Sequence, residues 1–342
     1  MTNIQIIVPV LIAFLGSFVL TPLAKKISIK FGLMDKPNDR KIHNGSIPRG
    51  GGLAIYTGFI LAFLTMGQCS REITGFLLSS FIIVALGTID DKVELRAIPK
   101  FLVQSLAAII AIYFGIVINM DAFLVGHLSQ YSFLAVPLTF FWIVGITNAI
   151  NIIDGLDGLA AGVSTIAAFA IATVAFLSGV ELVGTLALIV GFAALGFLPH
   201  NFSSRIFMGD SGSLFLGFSL ATLSIMGSLK LAAAFSLIVP FIIFLVPIFD
   251  TLFAIVRRLL RKKSIFEGDR RHFHHRLLDL GFTKLQAVLF IYLLSTIFSV
   301  LAVYSSQVRN RTGYILLGVS LALILGVTST VVYLHQKKTN HI

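Results

Sequence analysis

The chain has 342 residues, of which 57% are hydrophobic and 12% are charged, and its mean hydropathy is +0.96. Soluble proteins typically carry about 25% charged residues, so this composition excludes an ordinary soluble enzyme and indicates a membrane protein. The formal net charge of +11 would suggest nucleic acid in a soluble protein. In a membrane protein it favours contact with anionic membrane lipids, so we expect no nucleic-acid partner. The single cysteine, Cys69, excludes an internal disulfide and a cysteine-based metal cluster.

Apolar runs of about the 20 residues that a membrane-spanning helix needs predict about 11 helices. Their ranges are 4–24, 51–69, 73–89, 98–118, 133–150, 157–178, 181–198, 212–228, 232–256, 285–305 and 312–334. The first run lacks a basic leader and a cleavage site, so we expect a retained helix. No internal repeat or linker divides the sequence. We therefore predict an all-α polytopic membrane protein with a single domain over residues 1–342.

The basic residues predict which side of the membrane each loop faces. If the first loop is cytoplasmic, all Lys and Arg residues except Arg71, Lys230, Arg309 and Arg311 fall on the cytoplasmic side. This asymmetry is what the positive-inside rule requires. We therefore expect the N-terminus outside, the C-terminus in the cytoplasm, and cytoplasmic loops near 25–50, 90–98, 148–157, 199–211 and 257–284. Most acidic residues lie beside the same loops, which suggests chemistry at the cytoplasmic face of the cell membrane.

Two adjacent carboxylates, Asp90 and Asp91, end the third predicted helix. A helix C-terminus disfavours negative charge, and the two groups also repel each other, so a nearby cation would relieve both penalties. A solvated pair with Lys92 as its counter-ion explains the pattern equally well.

A stripe of polar residues begins where the fifth predicted helix meets the cytoplasm. Asn148, Asn151, Asp154 and Asp157 recur every three residues, which would align them on a helical backbone. Ionisable residues between apolar helices are costly and usually functional. A polar turn that caps the sixth helix would account for one Asp but not for the whole stripe.

Asp210 lies among glycines and serines at the start of the eighth predicted helix. The surrounding N–H groups and hydroxyls suit a phosphate or a metal-bound water. The structural alternative is a helix N-cap.

The largest cytoplasmic loop contains His272, His274, His275 and Arg276. Such a cluster can bind phosphates or shuttle protons, and zinc is disfavoured because no cysteine or suitably spaced histidine accompanies it. The positive-inside rule accounts for the arginines and not for the histidines, which are largely neutral at pH 7.

The loop between the first two helices carries Lys41 and Arg49, followed by three glycines. Its cations could attract an anionic lipid headgroup, and the glycines permit a tight entry into the second helix. A loop that only obeys the positive-inside rule explains the same residues.

Together these segments resemble the polyprenyl-phosphate N-acetylhexosamine-1-phosphate transferase family, glycosyltransferase family 4. Five motifs occur in the family's order: Asp-Lys-Pro-Asn with Arg-Gly-Gly-Gly, Asp90-Asp91, Asn-Ala-Ile-Asn with Asp-Gly-Leu-Asp-Gly, Met-Gly-Asp-Ser-Gly-Ser, and His-x-His-His-Arg. The first and last are more similar to the branch that uses UDP-N-acetylglucosamine than to the peptidoglycan branch. Glu94 departs from the pattern, since family members often carry Asp there.

The resemblance implies transfer of N-acetylglucosamine 1-phosphate from UDP-N-acetylglucosamine to undecaprenyl phosphate or another polyprenyl phosphate, with release of UMP. It implies Mg²⁺, for which Mn²⁺ substitutes, and a homodimer. This would be the first lipid-linked step in making a cell-envelope polysaccharide such as teichoic acid or O-antigen.

The resemblance also implies a role for each site residue. Asp210 and Asp154 would ligate Mg²⁺, with Asp157 helping to hold the metal and diphosphate, while Asp90 and Asp91 would orient or deprotonate the lipid phosphate. Substrate-binding residues would be Asn148, Asn151, Lys41, Arg49, His272, His274, His275 and Arg276. Direct attack by the lipid phosphate and prior attack by an Asp are both compatible with the motifs.

Two other functions remain open on sequence alone, and a third lacks its motif. The peptidoglycan-branch enzyme, phospho-N-acetylmuramoyl-pentapeptide transferase, differs in the nucleotide sugar that it consumes. A transporter would also place polar residues within the membrane, although near the midplane rather than at one face. A CDP-alcohol phosphotransferase requires an Asp-Gly…Ala-Arg…Gly…Asp…Asp pattern that the sequence lacks.

Overall fold

The structure is a computed structural model that describes residues 2–35, 46–119, 133–228, 233–260, 262, 272–308 and 311–340. Within these residues the chain forms thirteen helices and one short β-hairpin. The helices are α1 (Asn3–Phe31), α2 (Gly51–Leu64), α3 (Arg71–Val93), α4 (Ala97–Tyr113), α5 (Ala135–Ile153), α6 (Leu159–Leu177), α7 (Glu181–Phe202), α8 (Gly209–Ser228), α9 (Ala233–Ile243), α10 (Leu245–Leu260), α11 (Phe273–Asp279), α12 (Lys284–Gln307) and α13 (Arg311–Asn340).

These helices confirm the prediction of an all-α multi-pass membrane protein. Each of the predicted apolar segments contains a helix, and seven helices of the described chain are long and apolar enough to cross a membrane. The bent pair α9 and α10 would make eight, whereas α2 and α4 are apolar but shorter. The count of 11 spanning helices and the sidedness of the termini stay predictions.

The ninth predicted helix is wrong as a continuous element. Leu237–Ile243 and Leu245–Leu260 meet at an angle of 80°. Pro247 lies in the first turn of α10, where a missing N–H is tolerated. In a continuous helix Pro247 would offer no N–H to the Ile243 carbonyl, and its ring would clash with that carbonyl.

The first loop also contains a β-hairpin that the sequence analysis missed. Strand β1 (Met34–Asp35) pairs antiparallel with β2 (Ile47–Pro48). The Phe207 N–H donates to the Pro48 carbonyl over 2.8 Å, and the Gly51 N–H donates to the Phe207 carbonyl over 3.0 Å. The hairpin is therefore attached to the segment that precedes α8.

Helix α8 lies in the interior of the bundle. Its apolar side chains Leu214, Phe215, Leu216, Phe218 and Leu220 are fully buried, and α8 packs against α3, α5, α6 and α2. By contrast, α1 exposes a row of large apolar side chains that suits contact with lipid tails, including Ile4, Ile7, Leu11 and Leu15.

Small residues allow the backbones around α8 to approach closely. A Cβ atom at Gly217 would lie 2.8 Å from the Thr147 Cα atom and 2.9 Å from the Thr147 carbonyl oxygen of α5. Membrane helices associate mainly through such packing, because lipid tails are as apolar as the side chains themselves. Gly217 therefore fixes the spacing between α5 and α8.

We predict that Gly217→Leu lowers the thermal unfolding temperature of the detergent-purified protein. Overpacking at a close helix contact costs about 1–3 kcal/mol, more than the approximately 1 kcal/mol gained by replacing a helical glycine. Gly145→Leu on α5 is the matched control, because a Cβ atom there has no neighbour within 4 Å. Equal unfolding temperatures for the two variants would contradict the packing role of Gly217.

Candidate active site

Polar groups from many helices meet at one end of the bundle, called the polar end below. Helices α1, α3, α5 and α7 end there, and α2, α4, α6 and α8 begin there. Because odd-numbered and even-numbered helices run in opposite directions, residues far apart in sequence become neighbours. The polar end gathers the Asp90-Asp91 pair, the Asn-Asp stripe and Asp210, as the sequence analysis predicted.

A lysine joins two of the predicted carboxylates. The Lys100 ammonium group donates to Asp90 Oδ2 over 2.9 Å and to Asp210 Oδ2 over 2.6 Å. Asp90 also accepts a 2.7 Å hydrogen bond from the Leu95 N–H through Oδ1. The sequence analysis missed Lys100 because the positive-inside rule already accounted for its charge. The signal was that Lys100 is the one charged residue of helix α4.

Asp91 points toward the first turn of α8. Its Oδ1 accepts from the Asp210 N–H over 2.8 Å. Its Oδ2 accepts from the Ser211 N–H over 3.2 Å and from the Ser211 hydroxyl over 2.8 Å. The side chain is only 3% exposed. The two neighbouring carboxylates, which look equivalent in sequence, therefore have different partners.

The stripe of Asn and Asp residues is helical for only half its length. Helix α5 ends at Ile153, so Asp154 and Asp157 lie in the turn that precedes α6. The two aspartates therefore lie within the loop predicted near 148–157, and the helical alignment holds only for Asn148 and Asn151. The Asn151 amide donates to the Ser213 hydroxyl over 2.8 Å, and the Asn148 amide donates to Gln104 Oε1 over 2.6 Å and to the Val144 carbonyl over 2.8 Å.

Two hydrogen bonds hold the turn through its last residue, Gly158. The Gly158 N–H donates to Asn201 Oδ1 over 2.7 Å, and the Tyr292 hydroxyl of α12 donates to the Gly158 carbonyl over 2.5 Å. Gly158 has a φ of +82°, a value that favours glycine. Within the turn, Asp157 accepts a 2.5 Å hydrogen bond from the Ser204 hydroxyl. Tyr292 was missed because its apolar helix shows no polar motif around it.

A cavity of about 310 Å³ opens at the polar end. Asp154, Asp157 and Asp210 line it, and so do three groups that are or can become cationic: Arg49, Lys284 and His275. Arg49 forms a close ion pair with Asp35, which also lines the cavity. Lys41 lies outside the described residues. A cavity with carboxylates and cations on its walls can hold an anionic ligand together with a metal ion.

The predicted histidine cluster divides between structural contacts and the cavity. Asp250 Oδ2 lies 3.0 Å from His272 Nδ1, and Asp250 Oδ1 accepts from the Phe273 N–H over 2.8 Å, which anchors the start of α11. His275 lines the cavity. Arg276 instead lines a smaller cavity of about 30 Å³ that also involves Asp250 and Arg257.

His274 packs against the turn at Gly155. A Cβ atom on Gly155 would lie 2.4 Å from His274 Nε2, so a glycine is needed for this approach. The imidazole is buried, and Nε2 has no hydrogen-bond partner among the described residues. Burial, followed by the neighbouring His275, lowers the pKa of His274 to about 3. The ring is therefore neutral at physiological pH.

The carboxylates fit a magnesium ion that shares its ligands with a substrate. Burial of the Asp154 carboxyl group raises its pKa well above the usual value. The negative charges of Asp210, Asp91 and Asp157 raise it further. A cation beside Asp154 would relieve this repulsion. Among the described residues, no three His, Cys, Asp or Glu side chains surround a common metal position. Mg²⁺ does not need such a cage, since it usually binds one or two carboxylates with waters and substrate phosphates.

Comparison with known proteins agrees with the resemblance seen in the motifs. Residues 73–228 match the family model described as glycosyl transferase family 4. A probable undecaprenyl-phosphate N-acetylglucosaminyl 1-phosphate transferase of Bacillus subtilis is 46% identical over 88% of this chain and 85% of its own length. A decaprenyl-phosphate N-acetylglucosaminephosphotransferase of Mycolicibacterium smegmatis is 37% identical, over 83% of this chain and 78% of its own length.

A more distant relative is the undecaprenyl-phosphate alpha-N-acetylglucosaminyl 1-phosphate transferase of Escherichia coli K12. It is 28% identical over 82% of this chain and 80% of its own length. The matched family region runs from α3 to α8 and so contains Asp90, Asp91, Asp154, Asp157 and Asp210. With the identity and coverage of the Bacillus subtilis relative, these matches show that the chain belongs to glycosyl transferase family 4.

Proposed function

We propose that the protein transfers N-acetylglucosamine 1-phosphate from UDP-N-acetylglucosamine to undecaprenyl phosphate or a related polyprenyl phosphate. The observation that carries this proposal is the cavity at the polar end, whose walls combine the carboxylates Asp154, Asp157 and Asp210 with Arg49 and Lys284. A nucleotide diphosphate needs both a metal site and cationic contacts. The names of the similar proteins support the same substrates.

In the proposed reaction a phosphate oxygen of the lipid attacks the phosphorus that bears the sugar. A new P–O–P bond forms to the lipid, the bond to the bridging oxygen breaks, and UMP leaves with that oxygen. Both reactants are anionic, so their charge must be neutralised before they can approach. When bound, Mg²⁺ would supply part of that neutralisation.

The residues around the cavity divide these tasks. Asp154 and Asp210 would hold Mg²⁺ or Mn²⁺, and Asp157, kept in place by Ser204, would stabilise the same assembly. Asp90 would accept the proton of a protonated lipid phosphate and orient it. Lys100 links Asp90 to Asp210 and so connects the acceptor side to the diphosphate side.

The cationic wall would hold the donor. Arg49, Lys284 and His275 line the same cavity as the carboxylates and would contact the diphosphate, and Asn151, beside Ser213 of α8, would contact the uridine part. His274 is neutral, so it would contribute a hydrogen bond rather than a charge. His272 and Arg276 would act on the position of the α11 segment, in which His272 faces Asp250.

The reaction would occur at the cytoplasmic leaflet of the cell membrane. The polar end includes the last turns of α1, with Lys25, Lys26 and Lys30, and Arg49 before α2, which is the side that the positive-inside rule assigns to the cytoplasm. UDP-sugars are polar and would enter from water, whereas the lipid acceptor would enter from the bilayer. The product would begin a lipid-linked cell-envelope polysaccharide.

A direct assay tests the proposed function. The purified protein is incubated with undecaprenyl phosphate, Mg²⁺ and, separately, labelled UDP-N-acetylglucosamine, UDP-N-acetylgalactosamine or UDP-N-acetylmuramoyl-pentapeptide. We expect UMP and a lipid-linked sugar with UDP-N-acetylglucosamine. Product only with the pentapeptide donor would favour the peptidoglycan reaction. Substrate flux across vesicles without UMP would favour a transporter, and no product with any donor would reject the proposal.

Asp90→Asn should abolish most of the transfer without abolishing donor binding. Positioned acids and bases typically contribute a factor of about 10² to 10⁴ in rate, so a loss of at least about 100-fold in kcat is expected. Donor binding is measured with labelled UDP-N-acetylglucosamine in the absence of lipid acceptor. Asp279→Asn is a control, because this exposed carboxylate interacts with His335 instead of the cavity. Normal turnover of Asp90→Asn would reject the acceptor-side role.

Asp210→Asn should weaken the dependence on divalent metal. Removing a metal-binding carboxylate should raise the Mg²⁺ concentration needed for half-maximal activity and lower the maximal rate. The measurement is turnover as a function of Mg²⁺ and of Mn²⁺. Turnover and metal dependence that match those of the unmodified protein would show that Asp210 is not a ligand.

A further inference from the structure

We propose that Asp91 is a positioning residue, which sets the start of α8 and thereby the position of Asp210. This inference rests on the proposed function. The adjacent carboxylates Asp90 and Asp91, which look alike in the sequence, would then have separate tasks.

Within the described part of the chain, the side-chain hydrogen bonds of Asp91 all go to α8 residues. Both carboxylate oxygens accept from α8, through the Asp210 N–H, the Ser211 N–H and the Ser211 hydroxyl, over 2.8–3.2 Å. The first N–H groups of a helix have no partner within the helix. A side chain from another helix, α3, therefore satisfies the first turn of α8.

Electrostatics favours the same arrangement. Asp91 lies in the last turn of α3, where the partial negative charge of the helix end opposes a carboxylate. The N-terminus of α8 supplies the opposite partial charge, and Ser211 supplies a third donor. Since the Asp91 side chain is 3% exposed, water cannot take over this compensation.

Two glycines make the approach possible. A Cβ atom on Gly209 would lie 2.6 Å from each carboxylate oxygen of Asp91, and a Cβ atom on Gly87 would lie 2.4 Å from the Ser211 backbone. Gly209 also has a φ of +73°. Glycines near the end of α3 and at the start of α8 therefore leave the space that the Asp91 carboxylate needs against the α8 backbone.

The geometry separates Asp91 from the cavity. Asp210 lines the cavity and contacts Lys100, while the backbone N–H of the same residue is held by Asp91. The described lining of the cavity includes Asp210 and neither Asp90 nor Asp91. Asp91 thus positions the proposed metal ligand, Asp210, by accepting a hydrogen bond from the backbone N–H of that residue. Partners that orient a ligand in this way typically change metal affinity or activity by about 10- to 100-fold when removed.

Three variants test the proposal without requiring turnover: Asp91→Asn, Ser211→Ala and Ser219→Ala. Ser211→Ala removes one donor to Asp91 and leaves both carboxylates of the pair in place. Ser219→Ala is the matched control, since its hydroxyl is equally buried in α8 and has no hydrogen-bond partner in the described chain. The readouts are the unfolding temperature of the metal-free protein and the binding of Mn²⁺ followed by electron paramagnetic resonance.

We expect Asp91→Asn to weaken Mn²⁺ binding by about 10-fold or more and to lower the unfolding temperature. Ser211→Ala should shift both readouts in the same direction by less, and Ser219→Ala should shift Mn²⁺ binding little. If Asp91→Asn does not fold, a weaker Mn²⁺ affinity in Ser211→Ala supports the proposal and an unchanged affinity overturns it.

Two results with Asp91→Asn would also overturn the proposal. Lost transfer with unchanged Mn²⁺ affinity and unfolding temperature would mean that Asp91 acts on the substrate. A lower unfolding temperature with unchanged Mn²⁺ affinity would mean that its role is only structural. Both readouts remain informative if the transfer assay yields no product with any donor, so failure of this inference is separable from failure of the proposed function.

Discussion

Compensating the negative charge at the polar end constrains how the surrounding helix ends can be arranged. Carboxylates removed from water are costly unless each one finds a cation or several donors. Lys100 compensates Asp90 and Asp210, the first turn of α8 compensates Asp91, and His272 with the Phe273 N–H compensates Asp250. Burial, followed by the negative charges of the carboxylates around it, raises the pKa of Asp154. A further cation in the cavity beside Asp154 would reduce this cost.

This constraint explains why short and irregular backbone segments occur where the chemistry is placed. The turn from Asp154 to Gly158 separates α5 from α6, and Gly209, which has a positive φ, begins α8. Irregular backbone that is buried in the protein needs hydrogen-bond partners from within the protein. Asn201 and Tyr292 supply them for Gly158. A continuous helix through residue 157 would leave Asp157 without its contact to Ser204.

Apolar runs and the order of the motifs were sufficient to predict the all-α class, the helical segments and the meeting of Asp90, Asp154 and Asp210. The periodicity of a single segment did not predict which partners its polar side chains find in other helices. The different partners of Asp90 and Asp91 depend on the crossing of α3 with α8, and the role of Lys100 depends on α4 lying between two other helix ends. Tyr292 and its hydrogen-bond partner Gly158 are 134 positions apart in the sequence. Such long-range contacts leave no local pattern, whereas a helix does.

The compensating groups differ in how easily a substrate can replace them, and this difference suggests how the site works. The backbone donors to Asp91 cannot leave without unwinding the first turn of α8. The Lys100 ammonium ends a flexible chain, so it can move from Asp90 or Asp210 toward an incoming phosphate. In the proposed reaction the fixed partners would keep the position of Asp210 constant, while the Lys100 ammonium group would respond to the ligand. A site for two anionic substrates needs both kinds of partner, because rigid neutralisation alone would leave no charge with which to attract either one.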